Sequence, residues 1–130
     1  MELRTTSGET RGFTLIELLV VMAIIGLLLA LSLPRYFASI DKSKETVLKE
    51  NLRVTRTQID RFFADRGRHP GSLDELVTEK YLRSLPVDPI TESSNSWILV
   101  PPTDSDERGV ADLKSGARGT ARDGTPYDAL

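Results

Sequence analysis

Residues 13–33, near the start of the chain, are predominantly hydrophobic, and Glu17 is the only ionisable side chain among them. At about 1.5 Å rise per residue, a helix of this length extends roughly 31 Å, which matches the hydrocarbon thickness of a bilayer. The pattern predicts a membrane-spanning helix with one carboxylate close to its start. A cleaved secretory signal is the alternative, and the run is too long for an ordinary signal core.

Beyond Pro34 the hydrophobic residues change to a helical period, so a second, amphipathic half of the helix is expected to continue to about residue 66. The stripe comprises Ile40, Val47, Leu48, Leu52, Thr55, Ile59, Phe62 and Phe63. The other faces carry mixed charges, among them Arg53 and Arg56, and are interpreted most simply as solvated. Gly67, with Pro70 behind it, predicts the end of the helix.

The remaining residues predict a short helix and a few strands. Residues 72–79 open with the capping-box pattern Ser-Leu-Asp-Glu, and the apolar runs 96–100 and 109–113 are typical of strands. Two short strands are not stable alone, so we expect them to pack on the helical stripe with Trp97 in the core. The glycine-rich residues 116–127 predict an irregular loop. The fold class is therefore α+β.

Composition narrows the function classes. The net charge of −2 arises from 19 acidic and 17 basic residues that are mixed along the chain, so no nucleic-acid partner is inferred. There is no cysteine, which excludes disulfides, thiolate metal sites and a lipid anchor on cysteine. The single histidine, His69, is expected in a solvated loop and has no companion ligand. No catalytic constellation or resident cofactor is indicated, so the protein is not expected to be an enzyme.

Residues 11–20, Arg-Gly-Phe-Thr-Leu-Ile-Glu-Leu-Leu-Val, resemble the class III signal of type IV pilins and of type II secretion pseudopilins. The resemblance implies that a prepilin peptidase cuts between Gly12 and Phe13 on the cytoplasmic side and methylates the new amine of Phe13. Residues 1–12 would then be a leader, 13–33 a transmembrane and assembly helix, and 34–130 a periplasmic pilin-like head.

Glu17 has two interpretations. A carboxylate near the end of a membrane span can reach the headgroups, and without the surrounding motif this interpretation is preferred. With the motif, the resemblance implies that Glu17 pairs with the amine of Phe13 on a neighbouring subunit and so sets the register of a filament. An amine with a pKa of about 8 is mostly cationic at neutral pH, and a desolvated ion missing its partner is strongly unfavourable.

A second set of residues resembles the head of major pseudopilins of the G type. These residues are Pro70, Ser72 to Leu76, Tyr81-Leu82, Leu85-Pro86 and Asp88-Pro89, followed here by Ile90 to Ser94 in place of a Trp-Gly-Asn-Pro-Tyr-like run. G-type relatives bind calcium near their carboxyl end, where this chain has Asp123 and Asp128; solvated loop acids are the alternative. Asp104 to Gly109 imitates the start of a calcium loop and is interpreted as an acidic turn.

The resemblance as a whole implies a non-enzymatic structural subunit of a type II secretion pseudopilus in the bacterial inner membrane. Its implied partners are the prepilin peptidase, further copies of itself, other pseudopilins and an inner-membrane assembly platform. A type IV pilus pilin for motility, adhesion or DNA uptake is the first alternative. The second is a single-pass anchored binding module that never polymerises.

Overall fold

The computed structural model describes residues 3, 12–104 and 106–130. Its elements in chain order are helix α1 (Leu15–Arg66), helix α2 (Leu73–Thr78), strand β1 (Ile98–Val100), strand β2 (Asp112–Lys114) and a 3-10 turn (Tyr127–Ala129). The expected α+β class is confirmed. The expected leader, residues 1–12, falls outside the described residues except at positions 3 and 12.

Helix α1 continues through Pro34 and ends where the sequence predicted. Gly67 takes a left-handed conformation with φ 68°, and its amide donates to the carbonyl of Phe63 at 2.8 Å. Glycine adopts this conformation without the penalty that a Cβ imposes, so it terminates the helix. The chain forms two compact units, the first ending at Ala38 and the second comprising Ser39–Leu130.

The first unit holds the apolar part of α1. An 18-residue window there has a mean hydropathy of 2.7, and none of it is buried within the protein. Among the described residues, α1 is the one helix long and apolar enough to cross a membrane. Such a surface requires lipid or other protein around it, because exposing it to water is unfavourable in proportion to its area.

The core of the second unit forms around the carboxyl-terminal half of α1. Five residues of the predicted stripe are buried: Leu48, Leu52, Thr55, Ile59 and Phe62. Val47 and Phe63, which the sequence places on the same stripe, are instead 48% and 39% exposed. Each follows or precedes a buried neighbour by one position, which turns its side chain about 100° around the helix.

Helix α2 begins as its capping sequence predicted. Ser72 is the N-cap, and its hydroxyl accepts a hydrogen bond from the amide of Glu75 at 3.3 Å. The carboxylate of Glu75 reaches back to the amide of Gly71 at 2.6 Å, one residue before the position that a capping box uses. Leu73 and Leu76 are buried against the α1 stripe in the same core cluster.

The sheet consists of β1 and β2, which are antiparallel with Leu99 opposite Leu113. Both strands are shorter than predicted, and β2 begins three residues later. The amide of Val110 donates to the carbonyl of Pro70 at 2.8 Å, so Val110 pairs with the loop before α2, while the amide of Ala111 donates to the carbonyl of Val100 in β1 at 2.9 Å. Trp97 is 8% exposed and donates its indole N–H to the carbonyl of Pro86 at 2.8 Å, which confirms its expected place in the core.

Candidate functional site

The expected cleavage site lies immediately before α1. Residues 12–14 are not helical, and the side chain of Phe13 is 90% exposed. Thr14 caps the helix, because its hydroxyl accepts from the amide of Glu17 at 3.1 Å and its carbonyl accepts from the amide of Leu18 at 3.2 Å. The structure therefore presents the Gly12–Phe13 peptide bond outside the helix and next to its first turn.

Phe13 and Glu17 line one surface cavity of about 490 Å³ together with Thr14, Leu15, Leu18 and Val21. Glu17 lies in the first turn of α1, where the helix dipole favours a negative charge. The lining is otherwise apolar apart from Thr14. This arrangement brings both residues of the register pair that the resemblance implies to the same surface of the chain.

The structure contains a buried polar pair that the sequence did not predict. Asp88 and Ser115 are both fully buried, and the Ser115 hydroxyl donates to Oδ2 of Asp88 at 2.5 Å. The amides of Ile90 and Thr91 donate to Oδ1 at 2.8 and 3.4 Å. The dipeptide Asp88-Pro89 is a turn signal, but nothing local indicates a partner 27 positions away.

The charged face of α1 is not solvated at Arg56, so the interpretation from the sequence is wrong at this position. Its Nε donates to Oδ1 of Asp112 at 2.7 Å, and its Nη2 donates to the carbonyls of Leu113 and Leu130 at 3.0 and 2.9 Å. The planar guanidinium can serve three acceptors at fixed angles. Arg53, three residues earlier, is exposed and pairs with Glu50 at the surface, as expected of a solvated face.

Glu45 is a second charged residue of α1 that contacts the head. It is 9% exposed, and its Oε1 accepts from the backbone amide of Arg122 at 2.7 Å. The loop predicted at residues 116–127 is therefore fixed to α1 by a buried carboxylate. The bridge between Thr120 and Pro126 gives this loop a regular pairing of its own.

The carboxylates considered for calcium lie near the end of the chain. Oδ1 of Asp123 accepts from the amide of Thr125 at 2.9 Å, and this hydrogen bond lowers the pKa of Asp123. Asp128 belongs to the 3-10 turn. Among residues 12–104 and 106–130, no three or more acidic or histidine side chains gather into a metal-binding group. Calcium takes 6–8 oxygens, so backbone carbonyls and water would have to supply most of a shell here.

Comparison with known proteins shows which family this chain belongs to. The family model described as the prokaryotic N-terminal methylation motif matches residues 9–33, which include Gly12, Phe13 and Glu17. A type II secretion system core protein G of Escherichia coli K12 is 30% identical over 141 residues, covering 93% of each chain. The chain belongs to the type IV pilin and pseudopilin family. The expected resemblance to its G-type members is confirmed.

Two further relatives of this chain are a type II secretion protein and a type IV pilin. The type II secretion system core protein G of Pseudomonas aeruginosa is 34% identical, over 62% of this chain and 68% of its own. The type IV major pilin protein PilA of Myxococcus xanthus is 36% identical over 58% of this chain, which spans about a third (34%) of the length of that pilin. No solved structure matches the chain.

The sequence predicts that His69 is a solvated loop residue, whereas the structure shows it largely buried. Its side chain is 17% exposed, and its ring stacks on Phe63 with centroids 4.6 Å apart. Nε2 lies 3.5 Å from Oε2 of Glu107. The exposed Phe63 therefore supports the histidine on the surface of the head, which is a packing role that sequence spacing did not reveal.

Proposed function

We propose that this chain is a major structural subunit of a type II secretion pseudopilus, a filament whose growth drives exported proteins through the outer membrane. The observation that carries the proposal is the 30% identity to a core protein G over 93% of both chains. The exposed apolar part of α1 supports the same role, because lipid can surround it before assembly and neighbouring helices can surround it afterwards.

Processing is the first step that the proposal contains. The subunit waits in the bacterial inner membrane as a single-pass protein, with its amino terminus cytoplasmic and its head periplasmic. A prepilin peptidase hydrolyses the Gly12–Phe13 bond and then methylates the new amine of Phe13. The exposed, non-helical conformation of both residues supports this role for them.

Assembly is the second step. Glu17 accepts the cationic amine of Phe13 from a neighbouring subunit, so that a misaligned helix leaves two charges unpaired in an apolar fibre core. Removing one partner of a buried ion pair costs about 3–5 kcal/mol, which is sufficient to select one register. Other pseudopilins and an inner-membrane assembly platform are the further partners proposed.

Calcium binding at Asp123 and Asp128 stays a prediction that rests on the resemblance.

Mass spectrometry after co-expression with a prepilin peptidase tests processing. We expect a chain shortened by residues 1–12 that carries one added methyl group on Phe13. Gly12→Val should block cleavage, since a branched side chain obstructs close approach to the backbone. Gly26→Val is the matched control within α1, where an added Cβ has no atom of the described residues within 4 Å beyond the adjacent helix backbone. An unprocessed wild-type chain would favour the anchored binding module.

Assembly is tested with Glu17→Ala against Leu18→Ala, its neighbour in the same cavity. We expect Glu17→Ala to be processed and inserted normally but to form few filaments, whereas Leu18→Ala forms them. Normal filaments from Glu17→Ala would remove the register role.

The second candidate function is that of a type IV pilus pilin, which the 36% identity to a Myxococcus xanthus major pilin favours. A deletion strain separates the two functions. Loss of secretion with intact surface pili supports the pseudopilus, and the converse supports the pilus.

A further inference from the structure

The junction between the scissile bond and α1 has a defined structure. Gly12 and Phe13 are exposed and non-helical, and α1 begins at Leu15. Apart from its chain neighbours, no atom of the described residues lies within 4 Å of the position that a Cβ on Gly12 would take. A peptidase can therefore reach the backbone here, provided that the helix does not extend backwards over these residues.

The amide of Glu17 has two alternative acceptors. In the structure it donates to the hydroxyl of Thr14 at 3.1 Å. In a helix extended towards the amino terminus it would instead donate to the carbonyl of Phe13, four residues earlier. The threonine hydroxyl therefore competes directly with the next turn of helix, which is how an N-cap defines a helix start.

Extension of the helix would also occupy the scissile carbonyl. By the same i to i−4 rule, the carbonyl of Gly12 would accept from the amide of Ile16. That carbonyl must be free, because hydrolysis requires water to add to its carbon while the peptidase binds its oxygen. The bond to the nitrogen of Phe13 then breaks, leaving a carboxylate on Gly12 and an amine on Phe13.

We propose that Thr14 is a positioning residue for this hydrolysis: its hydroxyl caps α1 and thereby keeps the Gly12–Phe13 peptide outside the helix and open to the peptidase. The inference rests on the processing step of the proposed function. It assigns to Thr14 a role in the uncleaved chain that is separate from any role of Glu17 in the filament.

A kinetic experiment on the full chain tests this role. The chain is placed in lipid vesicles with purified prepilin peptidase, and cleavage is followed by mass over a range of substrate concentrations. Thr14→Val removes the hydroxyl at nearly constant size, and Thr14→Ser retains it. Thr57→Val is the matched control, because the Thr57 hydroxyl also bonds within α1, to the carbonyl of Arg53 at 2.8 Å.

We expect Thr14→Val to shift the equilibrium from the capped towards the extended helix by roughly 2- to 30-fold, the factor that corresponds to the free energies measured for N-caps, and to lower kcat/KM by at most that factor. In Thr14→Val, a smaller fraction of chains holds the Gly12–Phe13 bond outside the helix, and the apparent affinity of the peptidase for the chain falls in proportion to that fraction. The loss should therefore appear as a higher KM with kcat unchanged. Thr14→Ser should restore the wild-type constants, and Thr57→Val should not alter them. Amide hydrogen exchange at Glu17, measured without peptidase, should be altered in Thr14→Val because its acceptor changes.

Three results would overturn the inference. Thr14→Val could be cleaved with wild-type constants, Thr14→Ser could be as slow as Thr14→Val, or the loss could fall on kcat alone, which would indicate direct contact of Thr14 with the reacting groups. A wild-type chain that is never cleaved is a different outcome, since it removes the processing step itself and the inference with it.

Discussion

The hydroxyl of Ser115 donates a 2.5 Å hydrogen bond to Oδ2 of Asp88, and neither side chain reaches solvent. A buried carboxylate is tolerated only when donors surround it, and Ser115 supplies one from a segment distant in sequence. The amide of Ala117 donates to the same serine oxygen at 3.1 Å. This pair therefore connects the turn at residues 88–93 to the segment that follows β2.

Ser115→Ala should lower the free energy of unfolding of the head by about 1–3 kcal/mol, because it leaves a buried carboxylate oxygen without its donor. Urea unfolding of the full chain in detergent micelles is the measurement. Trp97, the only tryptophan, is buried in the head and reports on its unfolding by fluorescence. The exposed Ser84 provides the control variant Ser84→Ala, and equal midpoints for both variants would contradict the prediction.

Arg56→Met should destabilise the head by about 1.5–3 kcal/mol, the range for hydrogen bonds to charged groups, since three acceptors on two segments lose their donor. The same unfolding experiment applies. Arg53→Met is the control on the same helix and should leave the midpoint nearly unchanged, because exposed ion pairs contribute little. Equal effects of the two variants would show that Arg56 does not organise the head.

Glu75 should make the stability of the head depend on acid pH. The hydrogen bond from Arg68 and then that from the amide of Gly71 lower the pKa of this carboxyl below its ordinary value of 4.5, while burial opposes them. A carboxyl with a lowered folded pKa stabilises the fold above its unfolded pKa, and this contribution is lost as pH falls through the folded value.

We therefore expect the difference in Tm between wild type and Glu75→Gln to be largest at neutral pH and to diminish below pH 4.5. Thermal scans of Trp97 fluorescence at several pH values measure it. Arg68→Met removes the largest cause of the shift and should reduce the pH dependence. A difference that stays constant down to pH 3 would contradict the assignment.

Calcium, if it binds at Asp123 and Asp128, should raise the Tm of the head relative to a sample with chelator, because a ligand that binds only the folded state stabilises it. Asp123→Asn should abolish the increase. It also weakens the bond to the amide of Thr125, so the comparison is made within each variant, with and without calcium. An unchanged Tm in the wild-type chain would remove the calcium prediction.

Much of the fold follows from patterns that act over a few residues. Helical period, the glycine stop at Gly67 and the capping sequence at Ser72 are local, and the structure confirms each of them. The strand boundaries were less accurate, because the amide of Val110 has a partner in the loop at Pro70 that no local pattern reveals.

The sequence by itself determined the membrane-length helix, the processing motif and the family, since these depend on composition and on contiguous residues. Only the tertiary structure decided which charged residues of α1 face the head. Glu45 and Arg56 look like solvated charges in the sequence, yet they hold the chain's final segments through atoms more than 50 positions away. The physical reason is that a charge is stabilised by whichever partners folding brings to it, and those partners are not encoded nearby.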